Sequence, residues 1–134
     1  MQTRTERIQK DIETLAQFTS TPGKGVTRSS YSKEDTMAKY YLTGEMKKIG
    51  LEIYEDGFGT LFGRREGTMK DAPVVMLGSH YDSVVNGGAF DGVAGSVSAL
   101  EVMRVLTEEG FVNDYPLELI LMNAEEGATF GPST

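Results

Sequence analysis

One stretch of the sequence carries most of the residues that could do chemistry. Residues 74–95 read VVMLGSHYDSVVNGGAFDGVAG and include His80, Asp82 and Asp91. The only histidine of the chain therefore follows an apolar run, with two aspartates close behind it. A second apolar run ends in the acidic pair Glu125-Glu126. Because imidazole nitrogen and carboxylate oxygen both bind zinc-like divalent ions, the combination predicts a metal-centred hydrolytic site.

Each residue type could take a definite part in such a site. A carboxylate has two oxygens, so one aspartate can bridge two ions that lie roughly 3.5–4 Å apart. Asp82 lies two residues after His80, so on an extended segment it faces the same way and could fix the orientation of the imidazole. Of two adjacent glutamates after a strand, one could bind metal while the other takes a proton from water.

Each of these residues also has an ordinary interpretation. A single histidine is often a hydrogen-bonded structural residue, an Asp-Gly pair commonly forms a turn, and adjacent glutamates are usually solvated. The turn Asn86-Gly87-Gly88 could cradle a phosphate, but no Lys-Ser/Thr pair follows at the spacing of a P-loop. The metal hypothesis therefore depends on the combination and not on any one residue.

The composition restricts the classes of partner. The chain has 134 residues, a net charge of -7 and a pI near 4.7, which argue against nucleic acid or an anionic membrane as a partner. There is no cysteine, so disulfides and thiolate metal sites are excluded. The N-terminal segment lacks the apolar core of a signal peptide, and no apolar stretch is long enough to span a bilayer. We expect a cytoplasmic protein.

Three helices are predicted from capping and periodicity. Capping-box spacing at Thr3 and Glu6 predicts a first helix that extends to about Phe18. Ser32 with Asp35 predicts the start of a second helix, which Gly50 ends. Its apolar face would hold Ala38, Leu42, Met46 and Ile49. A third helix is expected over Val93–Glu109, with a polar stripe at Glu101, Arg104 and Glu108.

The strand pattern indicates an α/β fold. Residues 52–56 and 61–65 flank a glycine turn and predict a hairpin. The apolar runs 74–79 and 117–123 predict two buried strands, joined by the third helix and therefore parallel neighbours. Active sites of open α/β sheets gather at the carboxyl ends of the strands. His80 and the acidic pair are both predicted at such ends.

Four motifs resemble one family of enzymes: GVTRSSYSKED (25–35), GTLFGRREGT (59–68), GSHYDSVVNGGAFDGVAG (78–95) and AEEGATF (124–130). Together they resemble the metal-dependent amidohydrolases of the M20 peptidase-like superfamily. The branch is that of N-carbamoyl-L-amino-acid hydrolases, β-ureidopropionases and allantoate amidohydrolases. The resemblance implies a zinc-exopeptidase-like three-layer sandwich with a largely parallel mixed sheet, incomplete in this chain.

The resemblance also implies a role for each candidate residue. His80 would be a terminal ligand of one metal, Asp91 would bridge two metals, and Glu126 would be a terminal ligand of the second. Glu125 would be the general base and acid, and Asp82 would orient His80. The cofactors would be two divalent ions, either zinc, manganese, cobalt or nickel. A cis peptide would follow the bridging aspartate, at Asp91-Gly92.

The parent protein implied by the resemblance cleaves C–N bonds of ureido or carbamoyl compounds, such as N-carbamoyl-L-amino acids or allantoate, and is a homodimer. Residues 1–134 would be the N-terminal part of its catalytic domain, without the inserted substrate-binding and dimerisation domain. The family supplies one further histidine to each metal, and none follows His80 here, so we expect this chain alone to be inactive.

Two sequence departures bear on the substrate. The family often has asparagine at the position of Thr60 and arginine at that of Thr129. Neither position is a metal ligand in the family, so the departures concern the choice among ureido substrates. An M20-type metallopeptidase and a non-catalytic binding module remain alternatives, and the sequence leaves the native metal and the exact substrate open.

Overall fold

The computed structural model describes residues 1–127, which form one four-stranded sheet and three helices. The helices are α1 (Thr5–Ala16), α2 (Lys33–Lys48) and α3 (Val93–Glu108). The strands are β1 (Glu52–Glu55), β2 (Leu61–Arg65), β3 (Val75–His80) and β4 (Leu117–Met122). Over the described residues, no helix combines the length and the apolar character needed to cross a bilayer. The expected α/β class is confirmed.

The second helix forms as its sequence predicts. Ser32 accepts a hydrogen bond at Oγ from the backbone N–H of Asp35, at 3.2 Å, and so caps α2. Three residues of its apolar face, Ala38, Leu42 and Met46, are fully buried. The helix ends at Lys48, and Gly50 follows with φ +71°, a left-handed conformation that glycine adopts at little cost.

The start of the first helix differs from the prediction. Arg4, and not Thr3, is the capping residue, and its side chain makes no capping hydrogen bond. The backbone N–H of Arg4 instead donates to Oε2 of Glu101 on α3, at 2.9 Å. A carboxylate from another helix therefore binds the N-terminal end of α1, where the sequence predicted a cap by a local hydroxyl.

The strand order is β1-β2-β4-β3. The predicted hairpin is confirmed, with Glu52 opposite Arg64 and Glu55 opposite Leu61. The prediction that β3 and β4 are parallel neighbours is also confirmed. Because β2 pairs antiparallel with both β1 and β4, the described part of the sheet is mixed. Only the β3–β4 pair of this part is parallel, whereas a largely parallel sheet was expected.

All three helices contribute to one core on a single face of the sheet. Leu61, Leu119 and Leu121 point into this core and are at most 2% exposed. The opposite face carries Tyr54 stacked on Phe62, with ring centroids 4.6 Å apart, and Tyr54 remains 45% exposed. The described residues therefore form two layers, one of helices and one of strands, and the third layer of the expected sandwich stays a prediction.

The burial predicted for β3 is wrong. Val75 and Met76 are 47% and 52% exposed, because β3 lies at the edge of the sheet and its only partner among the described residues is β4. An apolar run predicts a strand, but it cannot tell whether neighbours cover that strand on both sides.

The polar stripe predicted on α3 is also wrong for two of its three members. Glu101 is fully buried and Arg104 is 7% exposed. Arg104 donates to Asp11 of α1, with Nη1–Oδ2 at 2.6 Å, and to Glu45 of α2, with Nη2–Oε1 at 2.9 Å. These charges join three helices and do not face solvent.

Small residues let α3 approach β3 closely. A Cβ at Gly95 would lie 2.9 Å from Cβ of Ser79. Ser96 is fully buried, and its Oγ donates to the carbonyl oxygen of His80 at 2.8 Å. The first turn of α3 is thereby fixed beside the end of β3.

Candidate metal centre

Two neighbouring parallel strands deliver the candidate residues to the same edge of the sheet. His80 is the last residue of β3 and pairs with Met122, the last residue of β4. Glu125 and Glu126 follow β4 by three and four residues. Asp91 is contributed by the loop that leads into α3.

Three carboxylates converge on one nitrogen of His80. Nε2 lies 3.6 Å from Oδ1 of Asp91, 3.6 Å from Oε2 of Glu125 and 3.8 Å from Oε1 of Glu126. One ligand atom from each of His80, Asp91 and Glu126 lies within 4.8 Å of the other two. The predicted convergence of these side chains is confirmed, while their roles as ligands, base and acid stay predictions.

The other ring nitrogen of His80 faces Asp82. Nδ1 is 2.9 Å from the backbone carbonyl oxygen of Asp82 and 3.4 Å from its Oδ1. The hydrogen bond to Asp82 raises the pKa of His80 to about 9, although burial acts in the opposite direction. The expected contact between Asp82 and His80 therefore exists, with the backbone carbonyl as the closer partner, and it leaves Nε2 turned towards the carboxylates.

The carboxylate of Asp82 has a second function that the sequence did not indicate. Its Oδ1 accepts from the backbone N–H of Glu125 at 3.2 Å, and its Oδ2 from that of Glu126 at 3.0 Å. Burial works to raise the pKa of Asp82, but the hydrogen bonds from His80 and from these two N–H groups outweigh it and lower the pKa. Asp82 therefore ties the acidic pair to the end of β3.

The turn after Asp91 differs from the prediction. Residues 1–127 contain no cis peptide bond, so Asp91-Gly92 is trans. The chain instead turns through Gly92, which has φ +73° and lies against the imidazole of His80. A Cβ at Gly92 would lie 2.2 Å from Cε1 of His80, so only glycine leaves room for the ring.

Replacing Gly92 with alanine is expected to destabilise the protein by about 1–3 kcal/mol, because the new Cβ must displace the imidazole and the positive φ becomes strained. Urea unfolding measures the loss, and the NMR signals of the His80 ring report its displacement. Gly44→Ala is the matched control. A Cβ there meets nothing within 4 Å in α2, so the control should raise stability slightly. Equal stability of the two variants would contradict the close contact.

Two further residues near the site were not identified from the sequence as functional. The buried guanidinium of Arg28 donates from Nε to the carbonyl oxygen of Tyr81, at 2.7 Å. Asn123 donates from Nδ2 to Oδ2 of Asp35, at 3.1 Å. Both Arg28 and Asp35 lie in the motif 25–35, but the spacing of Asp35 from Ser32 predicts only a helix cap. The departure at Thr129 lies outside the described residues.

The donor set fits a divalent cation. Imidazole nitrogen with carboxylate oxygens suits zinc and its neighbours among the first-row metals. Burial and the nearby carboxylate of Asp91 raise the pKa of Glu126, although the imidazole of His80 opposes the shift. A bound cation would relieve this repulsion. The chemistry of the residues present therefore agrees with a metal centre.

Comparisons with known proteins agree with the motifs. The model of a family described as Peptidase family M28 matches residues 60–133. The N-carbamoyl-L-amino-acid amidohydrolase of Paenarthrobacter aurescens is 50% identical over 125 residues, which are 93% of this chain and 30% of that protein. The allantoate amidohydrolase of Bacillus subtilis (strain 168) is 39% identical over 119 residues, which are 89% of this chain and 29% of that protein.

A solved structure gives the same result for the fold. A hydantoinase/carbamoylase family amidase from Burkholderia ambifaria superposes with a TM-score of 0.91 at 35% identity, over 97% of this chain and 32% of that chain. The chain thus spans about 30% of the length of these relatives. The likeness to carbamoyl-amino-acid and allantoate amidohydrolases that the motifs predicted is confirmed.

Proposed function

The chain belongs to peptidase family M28, and from that premise we propose that a longer protein containing it is a metal-dependent amidohydrolase of ureido or carbamoyl compounds. The observation that carries the proposal is the convergence of three carboxylates on Nε2 of His80. The names of two relatives, an N-carbamoyl-L-amino-acid amidohydrolase and an allantoate amidohydrolase, indicate the class of substrate.

In this proposal the side chains divide the work. His80, Asp91 and Glu126 would hold two divalent ions, with zinc, manganese, cobalt or nickel as candidates, and Asp91 would be a ligand that both ions share. Such ions would supply acidification of water and polarisation of the substrate carbonyl. Glu125 takes a proton from the attacking water and delivers it to the leaving nitrogen. Asp82 fixes the positions of His80 and of the acidic pair relative to each other.

The side-chain exposures support this division for three of the four residues. The imidazole of His80 is 10% exposed and the side chain of Glu126 is 20% exposed, as suits groups that are held in place, whereas the side chain of Asp91 is 61% exposed. The side chain of Glu125 is 47% exposed, so it can exchange protons with solvent between turnovers. We further propose a homodimeric, cytoplasmic enzyme that binds neither nucleic acid nor membranes, in accord with the acidic composition.

Hydrolysis assays on the longer protein test the proposal. N-carbamoyl-L-amino acids and allantoate should be cleaved, dipeptides should be cleaved poorly, and a chelator should abolish the activity. A preference for dipeptides would favour the second candidate, a metallopeptidase, which the name of the matched family supports. Absence of all three activities in a protein that binds metal would favour a non-catalytic binding module.

The chain of 134 residues is expected to bind divalent metal weakly and to be inactive by itself. Its three candidate ligands, with Asp91 shared, give each ion two protein ligands, whereas catalytic zinc sites usually keep three. Isothermal titration with zinc or manganese should therefore give dissociation constants above the micromolar range. Submicromolar binding of two ions, or turnover of a carbamoyl amino acid by the purified chain, would contradict this prediction.

A further inference from the structure

Residues of the segment 25–35 contact the chain just after β3 and just after β4, the two places that carry the candidate metal centre. On the β3 side, Arg28 donates to the carbonyl oxygen of Tyr81, which directly follows His80. On the β4 side, Asp35 accepts from the side chain of Asn123, which directly follows β4. The segment is therefore placed to act on the geometry of a site to which it contributes no ligand.

Asp35 is an unusual residue to find at this place. It is 1% exposed, and its Oδ2 accepts from the backbone N–H of Tyr31 at 2.9 Å as well as from Nδ2 of Asn123 at 3.1 Å. Its Oδ1 has no hydrogen-bond partner among the described residues. Burial raises the pKa of Asp35, although the two hydrogen bonds oppose the shift. A buried carboxylate costs free energy, so its contacts to Tyr31 and Asn123 matter to the fold.

Asn123 links Asp35 to the backbone that leads into the acidic pair. Its Oδ1 accepts from the backbone N–H of Ala124 at 2.9 Å, and its own backbone N–H donates to Oγ1 of Thr60 at 3.3 Å. Ala124 has φ +57°, which a residue with a Cβ adopts only when its surroundings hold it there. The backbone conformation of the turn 123–126 is therefore set by these contacts and not by the intrinsic conformational preference of its residues.

We propose that Asp35 is a positioning residue for the candidate metal centre. By holding the side-chain amide of Asn123, it fixes the turn 123–126 so that the carboxylates of Glu125 and Glu126 face His80. Asp82 holds the same turn from the opposite side through the two backbone N–H groups. The inference rests on the proposed function for its significance, but its geometry can be tested without activity.

The test compares two replacements of Asp35. Asp35→Asn keeps an acceptor oxygen for Asn123, whereas Asp35→Ala removes it. Hydrogen exchange of the backbone amides of Glu125 and Glu126, followed by NMR, should be about tenfold faster in Asp35→Ala and change by less than about twofold in Asp35→Asn. Leu42→Ala, a core variant of the same helix, is the control for general destabilisation. Each variant is measured at the same interval below its midpoint of thermal unfolding.

A second measurement uses Mn²⁺, whose paramagnetism broadens nearby amide signals even when binding is weak. In the unchanged chain and in Leu42→Ala, Mn²⁺ should broaden the signals of His80, Asp91 and Glu126. In Asp35→Ala the broadening should persist at His80 and Asp91 and weaken at Glu126 relative to them, and Asp35→Asn should keep the ratio of the unchanged chain. A general loss of stability would not produce this selective change.

The possible outcomes separate the two proposals. Exchange and broadening in Asp35→Ala that match Leu42→Ala would overturn the role of Asp35. Absence of Mn²⁺ broadening at all three residues of the unchanged chain would count against the metal centre, while the exchange measurement would still decide the role of Asp35. If Asp35→Ala does not fold, Asn123→Ala breaks the same link, and unchanged exchange at Glu125 and Glu126 in that variant would overturn the proposal.

Discussion

Replacing Glu125 with glutamine is expected to lower kcat of the longer protein by about a hundredfold to ten-thousandfold, the usual contribution of a general acid–base group. The amide has nearly the shape of the carboxylate but cannot take the proton of the attacking water. Because the side chain of Glu125 is 47% exposed and the hydrogen bond to Asp82 comes from its backbone N–H, the fold should be unchanged. Steady-state kinetics with a carbamoyl amino acid, beside metal analysis, measures the effect.

Two comparisons make this result specific. Glu126→Gln should reduce the metal content as well as kcat, since Glu126 is the proposed ligand, whereas Glu125→Gln should keep its metal. Glu109→Gln makes the same chemical change on the exposed surface at the end of α3 and should leave both quantities unaltered. If Glu125→Gln retained the full kcat, Glu125 could not be the proton-transfer group.

Replacing Arg104 with methionine is expected to destabilise the fold by about 3–5 kcal/mol, because the change leaves the buried carboxylate of Asp11 without its cation. Asp11 is 1% exposed and cannot turn to solvent for compensation, whereas the buried Glu101 keeps its ion pair with Arg7. Nη1 of Arg104 lies 2.6 Å from Oδ2 of Asp11 and 3.5 Å from Oε1 of Glu101. Urea unfolding followed by circular dichroism measures the free energy of unfolding.

Lys48→Gln is the matched control for this prediction. Lys48 also forms an ion pair with Glu45, but its side chain is 69% exposed, so its loss should cost at most about 1 kcal/mol. Asp11→Asn in the background of Arg104→Met should recover part of the lost stability, since it removes the buried charge that has lost its cation. Similar losses for Arg104→Met and Lys48→Gln would show that burial does not strengthen the Arg104 cluster.

The parts of the fold that the sequence predicted depend on local signals. A glycine turn between two short runs identified the hairpin, and an apolar run on each side of a helix identified β3, α3 and β4. The convergence of His80 with Glu126 then followed from a general property of parallel sheets, in which neighbouring strands end at one edge. No distance had to be known in advance for that inference.

The parts that the sequence did not predict depend on partners far away in the chain. The sequence predicts an exposed stripe at Glu101 and Arg104 because charged residues usually face water. Their burial depends on Arg7 and Asp11 of α1, and Asp11 precedes Arg104 by 93 residues. The contact of Asp35 with Asn123 could not be predicted for the same reason, because the local spacing of Asp35 explains only a helix cap. Its contact with Asn123 spans 88 residues.

The position of β4 between β2 and β3 has a consequence for the order of folding. The β1–β2 hairpin needs only local contacts, but β3 has no sheet partner among the described residues until β4 inserts between the two. Closing the long connections that bring β4 beside β2 and β3 is the slow part of assembling such a sheet. Because Glu125 and Glu126 follow β4 by three and four residues, the insertion of β4 also brings the acidic pair to His80. During synthesis on the ribosome, the candidate site therefore cannot exist before β4 has emerged.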